Sequence, residues 1–165
     1  MKDWRKDKIA NFLMYFISST MVMFGLFYPV GLVHEMGHGI ICVTHNGSFP
    51  WNWVFLHLTV ICTPFPTEVK EISFAMGGIF GIIGSLVPLA VFKFLRKHKF
   101  ILNGFLGMAF MELGYAIFET KEHEQYISNA LGATVPIAIM AIFAIGFFTI
   151  YIDKIKKYCT RKKSN

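Results

Sequence analysis

Residues 9–38, IANFLMYFISSTMVMFGLFYPVGLVHEMGH, decide the fold of this chain, because a long apolar run ends there in a cluster of ionisable side chains. No charged residue occurs from Ile9 to Val33. As an α-helix, at about 1.5 Å per residue, this run reaches about 37 Å, and the hydrocarbon core of a bilayer is about 30 Å thick. We therefore predict a first membrane-spanning helix over residues 9–33.

The composition of the whole chain also favours a membrane protein. Of its 165 residues, 55% are hydrophobic and only 16% are charged, whereas ordinary soluble domains carry about 25% charged residues. The apolar residues form long uninterrupted runs instead of the alternating or amphipathic patterns of a soluble fold. These features argue against a water-soluble globule, and they exclude the disordered, collagen-like, coiled-coil and disulfide-stapled secreted classes.

Three cysteines, Cys42, Cys62 and Cys159, occur in the chain. They are too few and too scattered for a disulfide framework or for a zinc site built from paired CxxC motifs. We interpret Cys42 and Cys62 as small apolar fillers.

Three further apolar runs, at residues 72–92, 100–118 and 126–152, predict additional membrane spans. Residues 39–67 are also uncharged, but they contain prolines, tryptophans and asparagines. We predict a re-entrant or interfacial segment there, possibly a β-hairpin, which can exist at membrane depth only if it packs against protein. The expected fold is thus an all-α integral membrane protein with about four transmembrane helices, forming a single domain over residues 1–165.

The positive charge is placed like a membrane topology signal. The net charge is +6, and most basic residues flank the apolar runs: Lys2, Arg5, Lys6 and Lys8, then Lys93, Arg96, Lys97 and Lys99, then Lys154, Lys156, Lys157, Arg161, Lys162 and Lys163. Such clusters are typical of cytoplasmic loops and of contacts with anionic lipid headgroups. We therefore expect cytoplasmic termini, the lipid bilayer and not a nucleic acid as partner, and a prokaryotic cell membrane as location.

The residues with the clearest chemistry are His34, Glu35 and His38, within the sequence HEMGH. Positions i and i+4 lie on one face of a helix, so the two imidazoles can hold one zinc ion while Glu35 lies beside it. Zinc held in this way activates a water molecule, and the carboxylate can take the proton of that water and pass it to a leaving amine. The spacing predicts a hydrolase core, with His34 and His38 as zinc ligands and Glu35 as general base.

This motif, near the end of an apolar helix in a small multispanning chain, resembles the site-2 protease family of intramembrane zinc metalloproteases. The resemblance covers about residues 9–130 in layout; its specific part is the HExxH motif itself, with Gly77 and Gly78 as weaker support. It implies a membrane-embedded enzyme that hydrolyses peptide bonds of a membrane-associated protein or peptide. It also implies a third zinc ligand from a distant membrane segment and a re-entrant hairpin after the motif helix.

The identity of that third ligand stays open, because the aspartate–glycine signature that supplies it in the family is absent here. Glu112 and Glu119 are seven residues apart and share a helix face, and His123 lies four residues further on if the helix continues. From its place in the layout we predict His123 as the third ligand, with Glu119, Glu112 and Glu124 as alternatives. Glu112 is either a protonated glutamate hydrogen-bonded to a neighbouring helix or a direct participant in the zinc site.

Two other functions compete with proteolysis. The first is a catalytically inactive relative that acts as a membrane chaperone or regulatory partner, which the missing signature favours and the intact Glu35 disfavours. The second is a small transporter or transport accessory, which is disfavoured because the chain lacks the paired broken helices and internal repeats typical of that class.

Overall fold

The structure is a computed structural model that describes residues 4–54, 57–65, 67–121, 134–146 and 148. This part of the chain is mainly helical, with one pair of short strands. The elements in order are α1 (Trp4–Thr44), β1 (Trp51–Val54), β2 (His57–Val60), a 3₁₀ turn (Thr67–Val69), α2 (Lys70–Val91), α3 (Lys93–Lys97), α4 (Lys99–Lys121) and α5 (Thr134–Gly146).

Among the residues that the structure describes, three helical segments are long and apolar enough to cross a membrane. They are Ala10–Thr44, Thr67–Val91 and Lys99–Ile117, and they cover all but one residue of each of the first three predicted spans. The predicted fourth span, residues 126–152, lies partly outside the described residues, and within it α5 is a shorter apolar helix. The described residues are therefore compatible with an integral membrane protein.

Helix α1 continues well beyond the predicted end of the first span at Val33. It runs without interruption through the motif and ends at Thr44. The end is set by Asn46, which adopts the left-handed conformation with a φ of 61°, and by Gly47, whose backbone N–H donates to the Cys42 carbonyl oxygen at 2.9 Å. A left-handed residue with such a backbone bond is a common way to terminate a helix. The motif is consequently held on a rigid helix.

Small residues let α2 approach both α1 and α4. A Cβ atom on Gly78 would meet the Ala116 side chain of α4, and one on Gly37 of α1 would meet the Met76 carbonyl oxygen of α2. Helices in membranes use such small residues because close backbone approach increases van der Waals contact. The same closeness brings side chains of all three helices to one place near the motif.

A cluster of buried apolar side chains fills the space between α1, α4 and α5. We call it the apolar core; it consists of Met23, Val30, Met108, Met111, Tyr115, Ala138 and Ile142. Met23, Met108 and Met111 are each about 1% exposed. Apart from Tyr115, its members on α1 and α4 precede His34 and Glu112 in the chain, and they lie on the side of the motif towards the α3–α4 junction.

The interpretation of Cys42 and Cys62 as apolar fillers is wrong, because the two residues form a disulfide. Strands β1 and β2 pair antiparallel, and the chain pairs again where Ser48 faces Thr63. This folding back brings Cys62 beside Cys42, with their Cα atoms 5.7 Å apart, within the range that a disulfide needs. Cysteine number and spacing could not show this, since the contact depends on the hairpin register.

Candidate metal centre

The two motif histidines face each other on the buried side of α1. The Nε2 atoms of His34 and His38 are 3.1 Å apart, and possible ligand atoms of His34, Glu35 and His38 all lie within 4.8 Å of one another. One turn of helix separates the two histidines, which is why their rings project to the same place. The structure thus brings together the three residues that the motif singled out.

Gly77 of α2 makes room for both imidazoles. A Cβ atom at this position would contact Nε2 of His38, and it would lie 2.7 Å from Nε2 of His34. Any larger residue would therefore occupy the space between the two nitrogens and α2. Gly81, one turn further along α2, leaves room in the same way for the Glu112 carboxylate.

Each histidine is oriented by a partner on its other ring nitrogen. Nδ1 of His34 lies 2.7 Å from Oε2 of Glu112, and Nδ1 of His38 lies 2.8 Å from the backbone oxygen of Ser73. A carbonyl oxygen can only accept, so His38 carries its proton on Nδ1, and His34 does the same when Glu112 is a carboxylate. Histidines that bind metals are typically held in this way by a carboxylate or a carbonyl oxygen.

With Nδ1 protonated on both neutral rings, the facing Nε2 atoms have only lone pairs to offer each other. Two lone pairs 3.1 Å apart cannot form a hydrogen bond. A cation between them would remove the repulsion and use both lone pairs. The two facing Nε2 lone pairs therefore fit the ligand atoms of a metal ion better than they fit a hydrogen-bonded histidine pair.

Glu119 of α4 supplies a third group at the same place. Its Oε2 atom lies 3.6 Å from Nε2 of His34 and 3.7 Å from Nε2 of His38. This oxygen is buried and has no hydrogen-bond partner among the described residues. An unsatisfied buried carboxylate oxygen is costly unless a cation or donor neutralises it.

The three atoms are spaced like the ligands of one zinc ion. Zinc binds nitrogen and carboxylate oxygen at about 2.0–2.2 Å, usually with tetrahedral geometry, which places neighbouring ligand atoms about 3.3–3.6 Å apart. The observed separations of 3.1, 3.6 and 3.7 Å lie close to this range. Nε2 of His34, Nε2 of His38 and Oε2 of Glu119 would leave a fourth position for water or substrate.

The predicted third ligand, His123, lies outside the described residues, and so does Glu124. Their roles stay predictions. Among the described alternatives, Glu119 reaches the two Nε2 atoms, whereas Glu112 contacts the far side of the His34 ring. Glu112 thus contacts a residue of a neighbouring helix, the motif histidine His34, and both of its predicted roles, as a protonated glutamate or as a participant in the zinc site, stay predictions.

Exposure at the centre increases in one direction. The exposed fraction of the side chain is 3% for Glu112, 9% for His34, 17% for His38 and 22% for Glu119. Glu112 and His34 lie nearest the apolar core, whereas His38 and Glu119 lie nearest the ends of α1 and α4 that point towards the hairpin. The candidate site is thus least exposed next to the apolar core and most exposed towards the hairpin.

Two elements of the site carry no clear sequence signal. The Ser73 carbonyl oxygen belongs to the backbone, so no side-chain pattern marks it. The Tyr115 ring packs edge-on against His34, with ring centroids 5.6 Å apart. In the sequence, nothing distinguishes Tyr115 from the other aromatic residues of this apolar helix. Both contacts depend on the rotation of α2 and α4 about their axes.

Comparison of the chain with protein-family models, with curated proteins and with solved structures finds no match.

Proposed function

We propose that this protein is a membrane-embedded zinc metalloprotease that hydrolyses peptide bonds of a membrane-associated protein or peptide. The observation that carries the proposal is the convergence of two imidazole nitrogens and one unsatisfied carboxylate oxygen beside Glu35. The orienting contacts to Glu112 and to the Ser73 carbonyl add support, because a metal ligand needs a fixed tautomer.

The residues divide into ligands, a base and orienting groups. His34, His38 and Glu119 would hold the ion, with His123 as the alternative to Glu119. When bound, zinc supplies Lewis-acid polarisation of the peptide carbonyl and activation of water. Glu35 takes the proton of the attacking water and returns it to the leaving amine, a role for which its buried position next to the two histidines is suited.

The resemblance to the site-2 protease family supports the same activity, because HExxH near the end of an apolar helix is shared with it. The long apolar helices of the described residues support an integral membrane protein, and the flanking basic clusters support cytoplasmic termini; a prokaryotic cell membrane stays our proposal for the location. The buried Glu35 favours an enzyme over a catalytically inactive chaperone or regulator, since a scaffold that only holds a metal needs no general base.

Zinc content per chain of the detergent-purified protein tests the proposal. We expect about one zinc in the wild type and in Glu35→Gln, and loss of zinc in His34→Ala, His38→Ala and Glu119→Ala. His45→Ala is the matched control, because His45 lies near the end of α1 and its Nδ1 contacts the Ile41 carbonyl oxygen instead of the centre.

Two results would change the proposal. Loss of zinc in His123→Ala together with retention in Glu119→Ala would make His123 the third ligand. Absence of zinc from the wild type after metal reconstitution would contradict the metalloprotease proposal itself.

A further inference from the structure

We propose that the metal centre opens only towards the non-cytoplasmic side, and that its substrates are membrane-inserted segments cleaved in the outer third of the bilayer or at its outer surface. The proposal rests on the proposed function for its chemistry. Its geometry rests on separate observations: the placement of charge, the disulfide, the depth of the centre and the packing beneath it.

Charge and the disulfide both assign the hairpin end of the molecule to the outside. The segment made of α3 and the first residue of α4 carries Lys93, Arg96, Lys97 and Lys99, all exposed, whereas no lysine or arginine occurs between Ile9 and Val69. Basic loops stay in the cytoplasm. The opposite end holds the Cys42–Cys62 disulfide, and disulfides persist in oxidising compartments outside the cytoplasm.

Two helices give the same depth for the centre. Along α4, which begins at Lys99, Glu112 lies about 20 Å and Glu119 about 30 Å from the cytoplasmic end at 1.5 Å per residue. Along α2, which ends at Val91, Ser73 lies about 27 Å from the same end. In a hydrocarbon core about 30 Å thick, these values place the zinc ligands in the outer third.

The apolar core closes the route from the cytoplasmic side. Met108 and Met111 lie one turn or less from Glu112 on α4, Met23 and Val30 lie on the same side of His34 on α1, and all four side chains are almost completely buried. Apolar interiors packed in this way exclude water. The exposed fraction rises in the opposite direction, from 3% at Glu112 to 22% at Glu119, so water and substrate enter from the hairpin end.

This entrance selects a class of substrate. Peptide bonds in the middle of a membrane helix are shielded by the helical hydrogen bonds, whereas the last turn has free carbonyl groups and frays readily. A membrane-inserted segment would therefore present an extended peptide to Glu35 only near its outer end. The scissile bond then lies within about 10 Å of the outer surface, the depth of the outer third of the core.

Chelation in oriented membrane vesicles tests the entrance. Right-side-out and inverted vesicles containing the zinc-loaded protein are treated with EDTA, which does not cross a bilayer, and zinc per chain is measured after repurification. The permeant chelator 1,10-phenanthroline is the control, because it reaches the ion from either side. We expect EDTA to remove zinc from right-side-out vesicles only, and phenanthroline to remove it from both.

Thiol labelling measures the orientation independently of zinc. In a Cys159→Ser background, Glu68→Cys and Lys97→Cys place single thiols at exposed positions at opposite ends of α2 and the following loop. A membrane-impermeant maleimide should label Glu68→Cys in right-side-out vesicles and Lys97→Cys in inverted vesicles.

The outcomes separate the two proposals. EDTA removal from inverted vesicles, or retention in both orientations, would overturn the outward entrance, and so would the reverse labelling pattern. If the protein holds no zinc before chelation, the metalloprotease proposal fails and the substrate class fails with it, while the labelling still reports which end of the molecule faces outward.

Discussion

The burial of the Glu112 carboxylate in an apolar helix is explained by its contacts with single atoms of its neighbours. An ionisable group in the middle of an apolar helix costs several kcal/mol unless a partner offsets it. Here the partner is Nδ1 of His34, at 2.7 Å, and Gly81 provides the space for the carboxylate. Glu112 therefore orients His34, and in the proposed zinc site it would be a positioning residue that acts on the ion only through that histidine.

Replacing Glu112 should weaken zinc binding without removing any ligand. We expect Glu112→Ala to lower zinc affinity by about 10- to 100-fold, the usual effect of losing an orienting partner. Glu112→Gln should lower it less, since the amide oxygen can still accept from Nδ1. Competition with a chromophoric chelator measures the affinity. Glu71→Gln, an exposed glutamate of α2, is the control, and equal affinities for the wild type and Glu112→Ala would contradict the positioning role.

Gly77 offers a second test at this scale. Gly77→Ala introduces a methyl group into the space of both Nε2 atoms, so we expect loss of zinc and a lower unfolding temperature in detergent. The matched control is Gly25→Ala on α1, where no atom lies within 4 Å of the added Cβ and where the change should stabilise the helix by about 0.5–1 kcal/mol. Zinc retained at wild-type level in Gly77→Ala would show that the histidines do not bind there together.

The sequence is enough to single out the motif residues of this candidate site, but it does not show which residue of α4 approaches them. The i, i+4 spacing of His34 and His38 places both imidazoles on one face of a helix, and Glu35 is next to His34 in the chain, so these three residues could be singled out from local geometry alone. The approach of Glu119 depends on how α4 is rotated against α1, and neither spacing nor composition contains that angle. For the same reason the prediction of a third ligand could be narrowed to the acidic end of the third span but not to one residue.

At the scale of elements, α1 shows the difference between an apolar run and a helix. The predicted span ends at Val33 because ionisable residues begin there, but backbone hydrogen bonding continues to Thr44. The ionisable side chains that follow Val33 end the apolar run, but they leave the backbone hydrogen bonds of the helix intact. The turn at Asn46 is the true stop, and its asparagine followed by Gly47 is a local signal that the hydropathy of the run obscures.

The disulfide ties the hairpin to the helix that carries the motif, and this predicts a stabilising role. Removal of both cysteines in Cys42→Ser/Cys62→Ser releases a loop with a sequence separation of 20 residues. We expect a loss of about 3 kcal/mol in unfolding free energy from loop-closure entropy, with zinc content unchanged because neither sulfur is a ligand. Thermal unfolding in detergent with and without reductant measures the loss. An unchanged unfolding temperature in the double variant would contradict it.

At the scale of the whole molecule, the proposed orientation predicts where cleavage products arise. Membranes containing the wild type should accumulate new N-termini that are absent from membranes containing Glu35→Gln, since removal of a general base typically slows a reaction by about 10²–10⁴-fold. Mass spectrometry of N-terminal peptides would locate these termini. We expect them at the outer ends of membrane segments; termini at cytoplasmic ends would contradict the orientation, and no difference between the two membranes would contradict proteolysis.

The apolar core beneath the centre has a further consequence for the cell that carries this protein. A polar cavity that reached both faces of the membrane would let protons flow down the membrane potential, and about 2.3 kcal/mol per charge would be lost for each 100 mV. Met23, Val30, Met108 and Met111 are almost completely buried next to the centre, so a water-filled path leading inward from the proposed zinc site would end at this apolar layer. In the proposed orientation, water would reach a peptide bond at the site while this apolar layer preserves the electrical insulation of the membrane.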